Sequence, residues 1–496
     1  MPFVLRNPVP FVRACLVLCL SMLLPTAVCA GRPFYDPGDW VSYTNLSFVT
    51  SIAGDDETVY VGTTGGVARY DRYADQWRTP LTVSDGLLDN QVKDVLIDPN
   101  TNDVWFKTDA GYSVLWPKSD TWSEALFPPE FQGEGGSDLG SLPDLLMPFG
   151  YAFSAEGYIT DPVLRRYPVT DYWADNWGNL WVGTWGLGVG KADLRTRRLE
   201  MHPLGLKQDN VNAVAISGNR LWFGGTDQGG ITLYDRGAQT WRYFEAGFIP
   251  RLKSDQVLAI VPGDRYVWFG TTYGLSRYDP PQDAWLTYTV FDTLQADEVT
   301  ALEKDGDALW IGTVSGVSRL IMKTGKKENV HEPSLKFRRV NSIAASGGYV
   351  WVATVAGVFR YEHATGLWDR FDAGESSLVG EVRAVSTVGS EVWFASPLGV
   401  VCFDTGTGRS ESYPALIFLD NNEPGCLAAS RKAVWVGTSQ GVWKLDRGRG
   451  EWVRFDQIDF LVDNRVQAIA LDGDYVWFGT RRGVTRFFWN SPHRFD

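Results

Sequence analysis

The chain has 496 residues, a formal net charge of −13, and 14% aromatic residues, with 22 tryptophans among them. That acidity argues against nucleic acid or an anionic membrane as partner, and no run of lysines and arginines offers a phosphate track. The length exceeds one average domain, and only two cysteines beyond position 30, Cys402 and Cys426, rule out a disulfide scaffold.

The first thirty residues read as a secretory leader. Arg6 and Arg13 precede an apolar run from Ala14 to Val28, and Cys29-Ala30 supplies a small-residue exit. Cleavage after Ala30 is preferred to an uncleaved anchor or a lipoprotein at Cys29, and it makes the exported chain periplasmic or extracellular. The apolar run is shorter than a membrane-crossing helix needs. No later segment reaches that length, so no membrane insertion of the exported chain, 31–496, is expected.

Next comes WVSYT, Trp40 to Thr44, which matches later words such as WLTYT at Trp285. Ten related phrases follow, centred on Tyr60, Trp105, Trp181, Trp222, Trp268, Trp310, Trp351, Trp393, Trp435 and Trp477. From Trp181 onward the steps are 41, 46, 42, 41, 42, 42 and 42 residues, a regularity that signals repeated architecture. Each period resolves into four short strands. In the fifth these are VLAIV from Val257, YVWFGT, LSRYD and AWLTYT from Ala284, separated by Gly-, Pro- and Asp-rich turns. One such sheet cannot bury both faces alone, so the fold class is an all-β propeller of four-stranded blades. The tryptophans are assigned to packing between blades. The glycine after each two-residue turn (Gly274, for example) is assigned to a positive φ.

The step from Trp105 to Trp181 breaks the period. Residues 128–170 read as an irregular insertion or a degenerate eleventh blade beside the ten secure ones. Two layouts compete. In the preferred one, Trp40–Thr44 supplies the missing fourth strand of the last blade and closes a single N-to-C ring. In the other, the chain splits at 31–204 and 205–496, and RRLEMH from Arg197 closes a ring of the seven regular repeats.

VSDGLLDNQVKDVLIDPNTNDVWFKTDAG from Val83, GLKQDNVNAVAISGNRLWFGG from Gly205 and DFLVDNRVQAIALDGDYVWFGTRRGV from Asp459 resemble the two-component-regulator propeller repeat. The resemblance runs from about Phe48 to Phe488. It implies an extracellular ligand-sensing domain, often built as two successive seven-bladed rings. No kinase, transmembrane helix or DNA-binding module follows Trp477, so the resemblance implies a component that works with a separate partner.

Motifs for chemistry are sparse. His202, His331, His363 and His493 stand alone, and no metal-ligand spacing, nucleophile motif or phosphate-cradling loop occurs. The expectation is therefore no catalytic residue, no metal and no cofactor. Ordinary turn use is preferred to calcium binding at GDDE from Gly54 and DNNE from Asp420. Asp109, Asp175 and Asp227 are turn acids that an enzyme could use. Cys402 and Cys426 read as two small buried hydrophobes in preference to a disulfide pair.

The turns between strands two and three vary while the fold around them does not, which suits a binding surface. Trp173, placed near the axis, and Trp185, Asp227, Tyr273 and Arg481, placed in these turns, are the candidate ligand-binding residues. Burial of the two tryptophans is the competing account. The resulting reading is a secreted, non-catalytic sensor or capture component for a glycan, peptide or protein partner. A structural assembly module and a polysaccharide-active enzyme are the alternatives.

Overall fold

A computed structural model describes residues 35–127, 142–414 and 422–491, apart from 37, 149, 155, 293, 325 and 331. The expected leader over 1–30, most of Phe131–Asp144, Asp420 with Asn421, His331 and His493 lie outside these described residues.

The strands form ten antiparallel sheets, nine of four strands and one of six. In chain order, sheet 1 spans 49–81, sheet 2 94–125, the six-stranded sheet 3 152–202, sheet 4 213–244 and sheet 5 257–288. Sheets 6 to 9 span 299–329, 340–371, 384–414 and 426–455. Sheet 10 takes 466–488 together with Trp40–Tyr43.

Sheet 5 shows why the same words recur. Its second strand, Val267–Thr271, is buried at every position because neighbouring sheets cover both faces. Thr271 Oγ1 donates to the Gly274 carbonyl at 2.8 Å and accepts from Tyr273 N at 3.1 Å, which locks the turn. The same hydroxyl bond recurs from Thr63, Thr313, Thr354, Ser396, Thr438 and Thr480. Gly274 has φ +99°, and a Cβ there would stand 2.3 Å from the Tyr288 carbonyl oxygen. Glycine alone fits. Gly270 answers a different need, since a Cβ there would meet Val299 Cγ1 of sheet 6 at 2.8 Å. The "GT" glycine is thus the place where the next sheet's first valine comes close.

Facing most strand-two aromatics is a strand-three cation, although Trp105, Trp222 and Trp393 face Val114, Leu233 and Cys402. Trp268 pairs across the ladder with Arg277, Trp310 with Arg319, Trp351 with Arg360 and Trp435 with Lys444. The charge lies over the indole at 6.0, 5.2, 5.5 and 5.9 Å respectively. The tryptophans are fully buried, as their assignment to sheet packing requires. The cation–π partner, which the recurring Ser-Arg, Phe-Arg and Trp-Lys encode, went unread.

The first strands of sheets 4 to 10 adjoin in succession, and that of sheet 10 returns to sheet 4. One hydrogen bond marks three of these joins: a residue at or just before a first strand donates to the end of the previous sheet's second strand. It appears as Val257 N to Gly225 O at 2.9 Å, as Val382 N to Thr354 O at 2.9 Å, and across the seam as Val211 N to Thr480 O at 2.8 Å. Sheet 10 therefore meets sheet 4 as any neighbour meets the next. Trp40–Tyr43 pairs with Gly483–Phe488 and completes sheet 10, with Ser42 Oγ and Thr485 Oγ1 2.9 Å apart. The N-terminal strand closes as expected, but the circuit it closes has seven sheets.

Sheets 1 to 3 form an arc in the order 3-1-2. Val49 of sheet 1 fills the space beside Gly183 of sheet 3, and Val92 and Val95 fill that beside Gly62 of sheet 1. The contacts do not close all ten sheets into one ring. RRLEMH is the outer strand of sheet 3 and stays in the arc. The hairpin Ala152–Ser154 and Tyr158–Thr160 pairs onto the long strand Arg166–Ala174 and so joins sheet 3.

Candidate functional site

Where the arc leans on the circuit, a cleft of about 630 Å³ opens. The arc contributes Met147, Tyr151 and Arg165, and the circuit contributes Trp241, Glu245 and Phe248. Each wall has a local cause. Leu146 N donates to the Arg197 carbonyl at 2.7 Å and Leu199 N to the Leu146 carbonyl at 2.9 Å, which ties the segment carrying Met147 to the outer strand of sheet 3. Glu245 and Phe248 lie in the loop leaving sheet 4, where Phe248 N and Ile249 N both bond the Glu245 carbonyl.

A charge network crosses the cleft. Arg165 Nε reaches Asp161 at 2.6 Å and its Nη1 reaches Glu245 at 2.8 Å, while Lys207 Nζ stands 3.4 Å from the other Glu245 oxygen. Tyr167 OH donates to Asp161 at 3.0 Å. The Arg165 guanidinium also lies 5.1 Å from the Phe248 ring centre. Burial alone would make Arg165 easier to deprotonate, but its bonds to Glu245 and Asp161 outweigh that and raise its pKa. For Asp161, burial is likewise outweighed by the bonds from Arg165, and its carboxyl is held below the ordinary range. Burial is the first cause that raises the Tyr167 phenol.

The residues singled out from the sequence lie elsewhere. Trp173 is half-buried in the long strand Arg166–Ala174 of sheet 3. Its ring fills the space beside Gly54 of sheet 1, and Arg72 lies 5.9 Å from its centre. Trp185 is 46% exposed in the turn of sheet 3 and meets Phe48 edge-on at 5.2 Å. Asp227 accepts from Asn210 N at 3.2 Å, and its own N donates to Gln208 Oε1 at 3.1 Å, so it braces the loop entering sheet 4. Tyr273 is 51% exposed. Arg481 uses its backbone N to bond Asp463 at 3.2 Å. Arg481, Asp227 and Tyr273 occupy the same face of consecutive sheets 10, 4 and 5. Trp185 sits apart on the arc, and none of the five lines the cleft.

Among the described residues no group of three or more His, Cys, Asp or Glu converges as metal ligands would. Cys402 and Cys426 are free thiols, each pushed up to about 12 by burial. His363 Nε2 stands 2.8 Å from Asp305. No helix among the described residues is long and apolar enough to cross a membrane.

No family model matches the sequence, and no curated protein does. Solved structures share the fold. PorZ, a surface component of the type-IX secretion system of Porphyromonas gingivalis, is 14% identical with a TM-score of 0.60, over 91% of this chain and 87% of PorZ. The extracellular domain of BT3049, a hybrid two-component system of B. thetaiotaomicron, is 18% identical with a TM-score of 0.50, over 89% of this chain. The chain spans 62% of that domain. The corresponding domain of BT4673 from the same organism is 16% identical with a TM-score of 0.50, over 90% of this chain and 71% of its own. The resemblance carried by the repeats thus extends to the fold of extracellular domains of two-component systems.

Proposed function

We propose that the chain is an exported, non-catalytic binding module, a propeller of seven blades with a three-blade arc, that captures a glycan, peptide or protein ligand. The observation that carries this reading is the cleft between arc and circuit. Its volume and its mostly apolar and aromatic walls suit a ligand of modest size, with a few fixed polar groups to orient it. Its two central carboxylates are committed to cations, Asp161 to Arg165 and Glu245 to Arg165 and Lys207. Acids tied in this way are poor proton-transfer groups, which favours binding over turnover. The turn face carrying Arg481, Asp227 and Tyr273, with Trp185 on the arc, is a second candidate surface. Its support is the exposure of Tyr273 and Trp185, whose rings the fold does not need to bury.

A glycan and peptide binding screen on residues 31–496 tests this. Phe248→Ala and Tyr151→Ala are expected to weaken a detected ligand about tenfold each, while Tyr273→Ala and Trp185→Ala leave it unchanged. The reverse pattern moves the site to the turn face. A chemically altered ligand recovered from the screen contradicts the non-catalytic reading.

A further inference from the structure

On the opposite face of the circuit, sheets 4 and 6 to 9 each hold their two hairpin turns side by side. The first residue of the strand-three-to-four turn donates its N–H to a carbonyl of the strand-one-to-two turn. Arg236 bonds Asn219 at 2.9 Å, Met322 bonds Asp307 at 2.8 Å, His363 bonds Gly348 at 2.9 Å and Thr405 bonds Ser390 at 2.9 Å. In sheet 9 the same bond joins Arg447 to Lys432 at 3.0 Å. Two basic pairs that lie apart in the sequence, Arg431-Lys432 and Arg447 with Arg449, are therefore brought together.

The fold does not require charge there. The equivalent first turns carry Gly218-Asn219, Gly306-Asp307, Gly347-Gly348 and Gly389-Ser390, small or turn-forming residues. Where another sheet places a cation in these turns, an acid answers it: Lys323 meets Asp307 at 2.8 Å and Arg265 meets Asp279 at 2.9 Å. Sheet 9 breaks that rule. Arg447 is held by Glu391 of sheet 8, but the side chains of Arg431 and Lys432 have no ion-pair partner among the described residues.

These turns open into a pocket of about 460 Å³ whose lining has five cations (Arg431, Lys432, Lys444, Arg447 and Arg449) against one carboxylate, Asp446. Asp446 Oδ1 is occupied by the backbone N–H groups of Gly448 and Arg449 at 2.8 and 3.1 Å. Lys444, 3% exposed, forms part of the floor, its ammonium 5.5 Å from the ring centre of Trp489, which closes one side. Positive charge gathered in a concave site attracts anions that the acidic surface elsewhere repels. Guanidinium groups suit tetrahedral oxyanions, which they bind through paired N–H donors.

We propose that this pocket binds a small ligand carrying two or more phosphate or sulfate charges, at a site separate from the cleft. Titration calorimetry of residues 31–496 with pyrophosphate and with a disulfated disaccharide tests it. Which probe binds tells a phosphate source from a sulfate source. Binding is expected to weaken as salt rises. In the double variant Arg431→Ser, Lys432→Asn, which gives the turn residues of the kind other sheets carry, it is expected to fall at least about tenfold. Arg265→Ser, an ion-paired cation in the equivalent turn of sheet 5, should leave it unchanged. The turns are exposed, so an unaltered melting curve of the double variant shows that the fold is kept. Failure of both probes to bind the parent protein, or equal affinity in the double variant, overturns the proposal. Neither result bears on the cleft.

Discussion

The circuit of seven sheets and the arc of three are built from the same unit, yet they hold together differently. In the circuit every sheet has two neighbours, and the join at the chain ends, Val211 N to Thr480 O, repeats the joins inside. The arc has two ends, and it meets the circuit through polar contacts such as Arg165 to Glu245 and Ser84 Oγ, between sheets 1 and 2, to the Phe460 carbonyl at 2.8 Å. A closed array shares the burial of each sheet around the whole circuit, whereas an open one leaves end sheets that can loosen separately. The comparison teaches that repeat number alone does not decide closure. What decides it is which edges find partners.

The largest effect expected from this contrast comes from the packing tryptophans. Trp351→Ala in the circuit and Trp181→Ala in the arc each empty a fully buried indole site and should cost about 3–5 kcal/mol. In calorimetry the first should shift the transition of the whole circuit. The second should shift an arc transition and leave the circuit's in place, and a single transition moved equally by both would erase the distinction.

A second, intermediate effect belongs to the circuit alone. Glu303, in the first strand of sheet 6, accepts Ala345 N of sheet 7 at 3.2 Å, and burial pushes its carboxyl up to about 7. An acid whose folded pKa lies above its unfolded value keeps its proton longer in the native state. Its contribution to stability is therefore full below the unfolded value of 4.5 and is lost as pH rises towards 7. Glu303→Gln keeps an acceptor without the charge. It should flatten the fall in melting temperature between pH 4.5 and 7 relative to the parent, and an unchanged slope would show that Glu303 is not the group responsible.

The smallest effect is at the junction. Arg165→Ala removes a pair whose arginine is 45% exposed, so solvent screening limits the cost to about 1 kcal/mol. Hydrogen exchange should quicken at 158–168 and 240–250 with no change around sheet 7. Quickening across the whole circuit would mean that the arc braces it more deeply than the contacts indicate.

Much of the unit was legible in the sequence because its causes are local. The Thr271 hydroxyl, the positive φ of Gly274 and the buried Trp268 all follow from one 42-residue word. The "GT" glycine was not explained, because its reason, Val299, belongs to the next sheet. Closure was half legible: WVSYT was rightly matched to a fourth strand, but RRLEMH carries the same alternation, and only tertiary pairing separates them. The cleft was hidden because Arg165 comes from the stretch with no repeat and Glu245 from a variable loop, so no spacing connects them. Asp227 reads as a turn residue free to bind, whereas it braces the loop at Asn210.

The central claim is that Trp40–Tyr43 closes a circuit of seven sheets as the fourth strand of sheet 10. The most direct measurement is a disulfide test with Ser42→Cys and Thr485→Cys, whose positions face each other across that ladder, in a background where Cys402 and Cys426 are replaced by Ala. Oxidation of the folded protein should form one intramolecular bond, read as a loss of about 2 Da and faster migration on a non-reducing gel. Met201→Cys, on the outer strand of sheet 3, should form none with Thr485→Cys. A bond between positions 201 and 485, or none between 42 and 485, would contradict the account.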